Sequence, residues 1–410
     1  LLMYGNALRS VCFCVFAVIS TSVPHSLPLE KTILHSPPRS RFLELDSNGS
    51  SIPAGGSVWP TGIFWTKVQV GTPPQDFPVA IDSGSGNLNI AGKDCTGCVT
   101  TPPNRAYDHS ASSTARRAFP FVFANTYQTC DLKNPTAPCT ISGSLFTDQV
   151  SLAGLGPVSV KLGSITRQTS NFDQFKRIDG VIGFTMGGSS NVYKQLVDAG
   201  KCDNVWALCM YEGSQSNGTL TIGGADARLA DGPIIYVPDS GLGFHSVSVA
   251  SLKLGDSTIQ VGQNAILDTG TNVLLLPSTV FAQVQKSMCS DMSLAYCKEL
   301  WSSACVTMTD AQMDAYPPLA MELDGIALQM TSRDYLLIGS PLAASAGQVC
   351  LGIRDGGSAG GSGFIIGDTT MRHYYLVFDL AERKIGWGKV NKQTCGSALP
   401  DITSESTNVV

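Results

Sequence analysis

Charge is scarce in this chain of 410 residues, and no stretch of it gathers lysine and arginine. With 14% charged residues and a formal net charge of −5, it has no electrostatic footprint for a phosphate backbone, which excludes nucleic acid as a partner. Histidine is rare too: five residues, scattered, with no spacing that fits a triad or a metal site. Cys95-x-x-Cys98 has no second Cys or His pair nearby at zinc-ligand spacing, so a local disulfide is its reading. No apolar run reaches the roughly 20 residues that a membrane-spanning helix needs. The run Val11–Ile19, between Arg9-Ser10 and the small residues Ser20-Thr21-Ser22, reads as the core of a secretory signal peptide over residues 1–22. The polar tail, 396–410, holds neither a span nor a lipid-anchor signal, so no stable membrane span is expected in the mature chain.

Glycine and proline are plentiful, 42 and 22 residues, and they fall between short β-branched and aromatic runs instead of forming one block. That distribution reads as turns between many strands and predicts an all-β fold with a few short helices. Thirteen cysteines fit an oxidising compartment. Expected pairs are Cys95 with Cys98, Cys130 with Cys139, Cys202 with Cys209, Cys289 with Cys297 and Cys305 with Cys350, which leaves Cys395 unassigned. Asn48-Gly49-Ser50 and Asn217-Gly218-Thr219 have the form of glycosylation acceptors.

The chain repeats itself. Val79-Ala80-Ile81-Asp82-Ser83-Gly84-Ser85 lines up with Ala265-Ile266-Leu267-Asp268-Thr269-Gly270-Thr271, in each case an apolar strand ending in Asp, hydroxyl, Gly, hydroxyl. Each copy is followed at a distance by a second pattern, Gly180-Val181-Ile182-Gly183-Phe184 and Phe364-Ile365-Ile366-Gly367-Asp368. Two patterns recurring in the same order imply two lobes with a common plan, placed at 60–224 and 225–395, after a short leader or prosegment at 23–59. An apolar strand that runs straight into an acid is odd unless the acid has a partner. Glycine lets such a turn bend and approach closely, and the hydroxyls can donate to a carboxylate. If the two turns face each other, the carboxyls cannot both ionise readily. Asp368 has no counterpart in the first copy, where Phe184 stands, and reads as structural.

At these residues the chain resembles the pepsin-like aspartic proteases, over most of its length from Phe64 to Trp387. Gly71-Thr72-Pro73-Pro74-Gln75, Leu220-Thr221-Ile222-Gly223-Gly224 and Tyr374-Tyr375-Leu376-Val377-Phe378-Asp379 accompany the two Asp triplets in the family's order. The resemblance implies a bilobal, pseudo-twofold β fold with a central cleft. It implies Asp82 and Asp268 as the catalytic acids, with Gly84, Ser85, Gly270, Thr271 and Asn272 beside the substrate. It further implies a polypeptide substrate, inhibition by statine-type mimics, a monomer, and no metal or organic cofactor. The final compartment would be the outside of the cell, a lysosome or a vacuole. A flap over the cleft matches Thr126-Tyr127-Gln128-Thr129, with Tyr127 as the lid tyrosine, Thr129 beside the substrate, and an insert from Asp131 to Pro138. Two departures stand out: Ser83 where threonine is usual, and Asn89 where many relatives carry tryptophan, which puts the support of the flap tyrosine in doubt. The other reading from a different class is a pepsin-like binding protein without turnover; intact Asp-Ser-Gly and Asp-Thr-Gly triplets argue against it.

Overall fold

The computed structural model describes residues 49–57, 62–102, 104–128, 138–169, 178–185, 190–211, 217–241, 243–340, 342–345, 347–357, 361 and 363–396. The expected signal peptide, Thr129, Cys130 and most of the flap insert lie outside the described residues, as does the tail beyond 396.

Strands dominate, as the turn-rich composition predicts, and the helices described are short. Strand Ile63–Val70 shows why: Phe64, Thr66, Val68 and Val70 turn into the core while Lys67 and Gln69 face water, the two-residue period of a half-buried strand. Strand Gln75–Asp82 begins in the same way but ends in four consecutive buried residues, Val79 to Asp82. Its end is flanked by strand Ile63–Val70 on one side and by the parallel strand Gly180–Gly183 on the other, the continuous burial expected of an interior strand.

The strands form two large sheets, the framework of a bilobal pepsin-like fold. In the thirteen-stranded sheet, six neighbours run antiparallel in succession: Ile235–Pro238, Lys384–Lys389, Tyr374–Asp379, Val205–Tyr211, Asn217–Ile222 and Ser50–Ser57. The last strands of the chain are thus joined to strands from its first half. The seven-stranded sheet carries the second Asp turn on strand Ser257–Leu267.

The two repeated patterns pair with each other inside each copy. Gln75–Asp82 runs parallel to Gly180–Gly183, with Asp82 opposite Gly183; Ser257–Leu267 runs parallel to Ile365–Ile366, with Leu267 opposite Ile366. Ile366 O accepts from the Asp268 N–H at 3.1 Å, and Asp82 O accepts from the Phe184 N–H at 2.8 Å. The second pattern is therefore the neighbour that holds each Asp turn in place.

Disulfides join Cys95 to Cys98, Cys289 to Cys297 and Cys305 to Cys350, as expected. Cys139 is also disulfide-bonded, and its expected partner Cys130 lies outside the described residues. The expected Cys202–Cys209 pair is wrong: Cys209 bonds to Cys395, and Cys202 is free and buried. Strand alternation gives the reason. Along Val205–Tyr211, Val205, Ala207 and Cys209 share one face and pack in a small cluster with Tyr375, Val377 and Cys395. Cys202 belongs to the main core with Tyr193 and Leu196. No helix among the described residues is long and apolar enough to cross a membrane.

Candidate active site

Each Asp turn binds its own carboxylate in the same way. The Gly84 N–H donates to Asp82 Oδ1 at 2.9 Å and the Ser85 hydroxyl to Oδ2 at 2.5 Å. The Gly270 N–H donates to Asp268 Oδ1 at 2.8 Å and the Thr271 hydroxyl to Oδ2 at 2.6 Å. One oxygen of each acid is held by a hydroxyl, and the other by the backbone of the turn.

The residue between Asp and Gly reaches across to the opposite turn. Ser83 Oγ donates to Leu267 O at 2.8 Å and accepts from the Thr269 N–H at 2.9 Å. Thr269 Oγ1 donates to Ile81 O at 2.8 Å and accepts from the Ser83 N–H at 3.0 Å. These four bonds, all buried, fasten residues 184 to 188 positions apart. A hydroxyl alone satisfies the pattern, which is why Ser83 serves where threonine is usual.

The glycines are required by the opposing acids. A Cβ on Gly84 would lie 2.6 Å from Asp268 Cγ, and one on Gly270 would lie 2.8 Å from Asp82 Oδ1. Only a residue without a side chain lets the two turns approach this closely. Both carboxyls are nearly closed to solvent. Burial, and next the charge of Asp268, push the Asp82 carboxyl well above the ordinary aspartate range, against the pull of the Ser85 and Gly84 hydrogen bonds. Asp82 thus resists ionisation beside its neighbour.

A cavity of about 630 Å³ opens over the pair, lined by Asp82, Gly84, Ser85, Asp268 and Gly270 and, on the flap side, by Asn125, Thr126, Tyr127 and Gln128. Ile266, Ile365 and Phe244 line it from the second half of the chain. The structure thus brings five of the expected site residues and Tyr127 together around one space. Thr271 sits behind Asp268 as its brace, outside the lining. Asn272 also stays off it, and its carbonyl accepts from Thr369.

The doubt over Asn89 resolves in its favour. Its Nδ2 donates to the Tyr127 hydroxyl at 3.2 Å, so the amide holds the flap tyrosine by a hydrogen bond where bulk is missing. Burial, then the nearby charge of Asp82, drive the Tyr127 phenol above its usual range, so it stays neutral. Residue-by-residue reading missed Asp179, which also lines the cavity. Burial raises its carboxyl to about 6, against hydrogen bonds from the Arg105 N–H and Asn104. An acid directly before the Gly180–Gly183 pattern was the available signal.

Two buried acids met by symmetric turns across a cavity define an aspartic protease site. The model of the family described as eukaryotic aspartyl protease matches residues 63–390, and the chain belongs to that family. It is an aspartic-type endopeptidase, a hydrolase. Among curated relatives, it is 25% identical over 335 residues to pepsin A of Suncus murinus, covering 80% of this chain and 81% of that one. It is 27% identical over 337 residues to a probable vacuolar protease A of Trichophyton verrucosum, covering 80% and 78%.

Proposed function

We propose that Asp82 and Asp268 cut internal peptide bonds of an extended polypeptide by activating one water molecule between them. Asp268 takes a proton from the water as its oxygen attacks the scissile carbonyl carbon, and Asp82 gives its own proton to the carbonyl oxygen. In the tetrahedral diol that results, Asp268 returns a proton to the amide nitrogen, the C–N bond breaks to release the amine, and Asp82 recovers its proton from the diol hydroxyl whose oxygen becomes the carbonyl of the new carboxylic acid. The cycle closes with no covalent intermediate. The observation that carries this reading is the requirement for glycine at both turns, each set by the carboxyl of the other. Ser85 and Thr271 orient the outer oxygens, and Tyr127 closes over the substrate from the flap to exclude water. Gly84 and Gly270 leave room for the peptide. The lobes divide near residues 224 and 225, and the disulfides support passage through an oxidising secretory route.

The test uses the purified chain and an internally quenched peptide at acidic pH, with cut sites mapped by mass spectrometry. Internal cuts, blocked by a statine-type mimic, are expected. Asp268→Asn, shown folded by circular dichroism, should lower turnover by about 10²–10⁴-fold. Unchanged turnover in that variant would exclude the pair. Peptide binding without cleavage by the unaltered chain would favour the silent binding protein instead.

A further inference from the structure

Behind the two Asp turns lies a titratable pair that the reaction does not use. His245 is fully buried, and so, nearly, is Asp239. His245 Nδ1 stands 3.1 Å from Asp239 Oδ2, and its Nε2 stands 3.0 Å from Phe184 O. A carbonyl oxygen can only accept, so Nε2 carries a hydrogen. Asp239 Oδ1 already accepts from the N–H groups of Gly241 and Ser246, both at 3.0 Å. Burial pushes the Asp239 carboxyl up, but hydrogen bonds from His245, Ser246 and Gly241 outweigh it and hold the group below its ordinary range. An ionised Oδ2 can only accept as well, so Nδ1 must also carry a hydrogen. With Asp239 ionised, the hydrogen between Nδ1 and Oδ2 sits on the ring, which is then the imidazolium.

The pair touches both catalytic segments. The Phe184 N–H donates to Asp82 O at 2.8 Å, so the ring of His245 grips the residue that holds the first Asp. The His245 carbonyl accepts from the Leu267 N–H at 2.9 Å, and Leu267 directly precedes the second Asp. Trp206 and Phe378 close off water, with ring centroids 5.8 and 4.7 Å from the imidazole. The other charged groups around the pair are engaged elsewhere: Arg383 Nη2 donates to Gly241 O at 2.6 Å, and Asp379 pairs with Lys384 at 3.5 Å.

We infer that His245, held as an imidazolium by Asp239, is a positioning residue that locks the two Asp turns together from behind, and that loss of its second proton opens the lock and sets the neutral-pH limit of the active fold. Once Nδ1 is bare, its lone pair faces a carboxylate in a dry core, a contact that costs free energy. Only the effect on catalysis rests on the reading of Asp82 and Asp268 above; the protonation and the stability do not.

Asp239→Asn separates the alternatives. Its amide oxygen accepts the same two N–H groups, and its NH2 donates to a neutral Nδ1, so the lock survives without the second proton. The full chain is incubated across a pH series and returned to acid for assay, while ¹⁵N-histidine NMR follows the ring nitrogens of His245. At acidic pH both nitrogens should be protonated in the unaltered chain. Activity recovered after incubation should fall as that proton is lost, and Asp239→Asn should move the midpoint upward by about 1 pH unit or more. Ionising Asp82 also weakens the fold as pH rises above the carboxylate range, but equally in both proteins, so the difference between them reports the lock. His245→Ala should lower kcat with little change in KM, since the ring does not touch the cleft. A singly protonated ring at acidic pH, or the same midpoint in Asp239→Asn, would overturn the proposal, and neither readout needs the alanine variant to fold.

Discussion

Ser83 and Thr269 directly follow Asp82 and Asp268 in the chain, yet their hydroxyls bond to the opposite turn. Each hydroxyl bridges a carbonyl and an N–H of the opposite turn in a buried place, so deletion strands two backbone groups. Ser83→Ala should destabilise the fold by about 1–3 kcal/mol, the cost of a buried group left unsatisfied, while Ser83→Thr should not. Thermal unfolding of the two variants checks this, and equal stabilities would contradict it. Residues of this kind divide what the sequence shows from what it hides. Asp82, Ser85, Asp268 and Thr271 are legible because each acid and its brace lie three positions apart in one turn. The crossing of Ser83 and Thr269, the amide of Asn89 under Tyr127 and the pair of His245 with Asp239 depend on contacts between distant segments, which no local spacing encodes.

At the scale of elements, the repeat was legible because its two patterns are neighbouring parallel strands, constrained in the same way in both copies. Cysteine pairing was legible for close neighbours such as Cys95 and Cys98 and for Cys305 with Cys350, which flank the bridge between Val306 and Val349. Cys202 and Cys209 are close in sequence, but they fall on opposite sides of the central sheet. The bond from Cys209 to Cys395 closes a loop of 186 positions and ties the end of the chain to its middle strands. Removing a cross-link of that span costs up to about 5 kcal/mol in the chain-entropy account. Peptide mapping without reduction should find Cys209 joined to Cys395 and no peptide joining Cys202 to Cys209. The paired change Cys209→Ser with Cys395→Ser should lower the midpoint of thermal unfolding; an unchanged midpoint would show that the sheet alone secures the terminus.

For the whole molecule, bilobal symmetry is what makes the chemistry available. One turn holds one acid, and its repeat in the second half of the chain brings another so close that burial and mutual charge oppose ionising Asp82. The bilobal plan was therefore readable in outline from two repeated patterns. The interleaving of the chain's last strands with those of its first half was not, because strand order in a sheet is set by pairing between segments far apart in sequence. The most direct test of the shared proton is the dependence of kcat/KM on pH with a short quenched peptide. On the proposed mechanism the pair works with one shared proton, so the rate should rise as the pair gives up its first proton and fall as Asp82, held above the ordinary aspartate value of 3.8, finally loses its own. A bell with its falling limb above the usual carboxylate range is the expected result; a rate that climbs steadily through neutrality, with no falling limb, would contradict it.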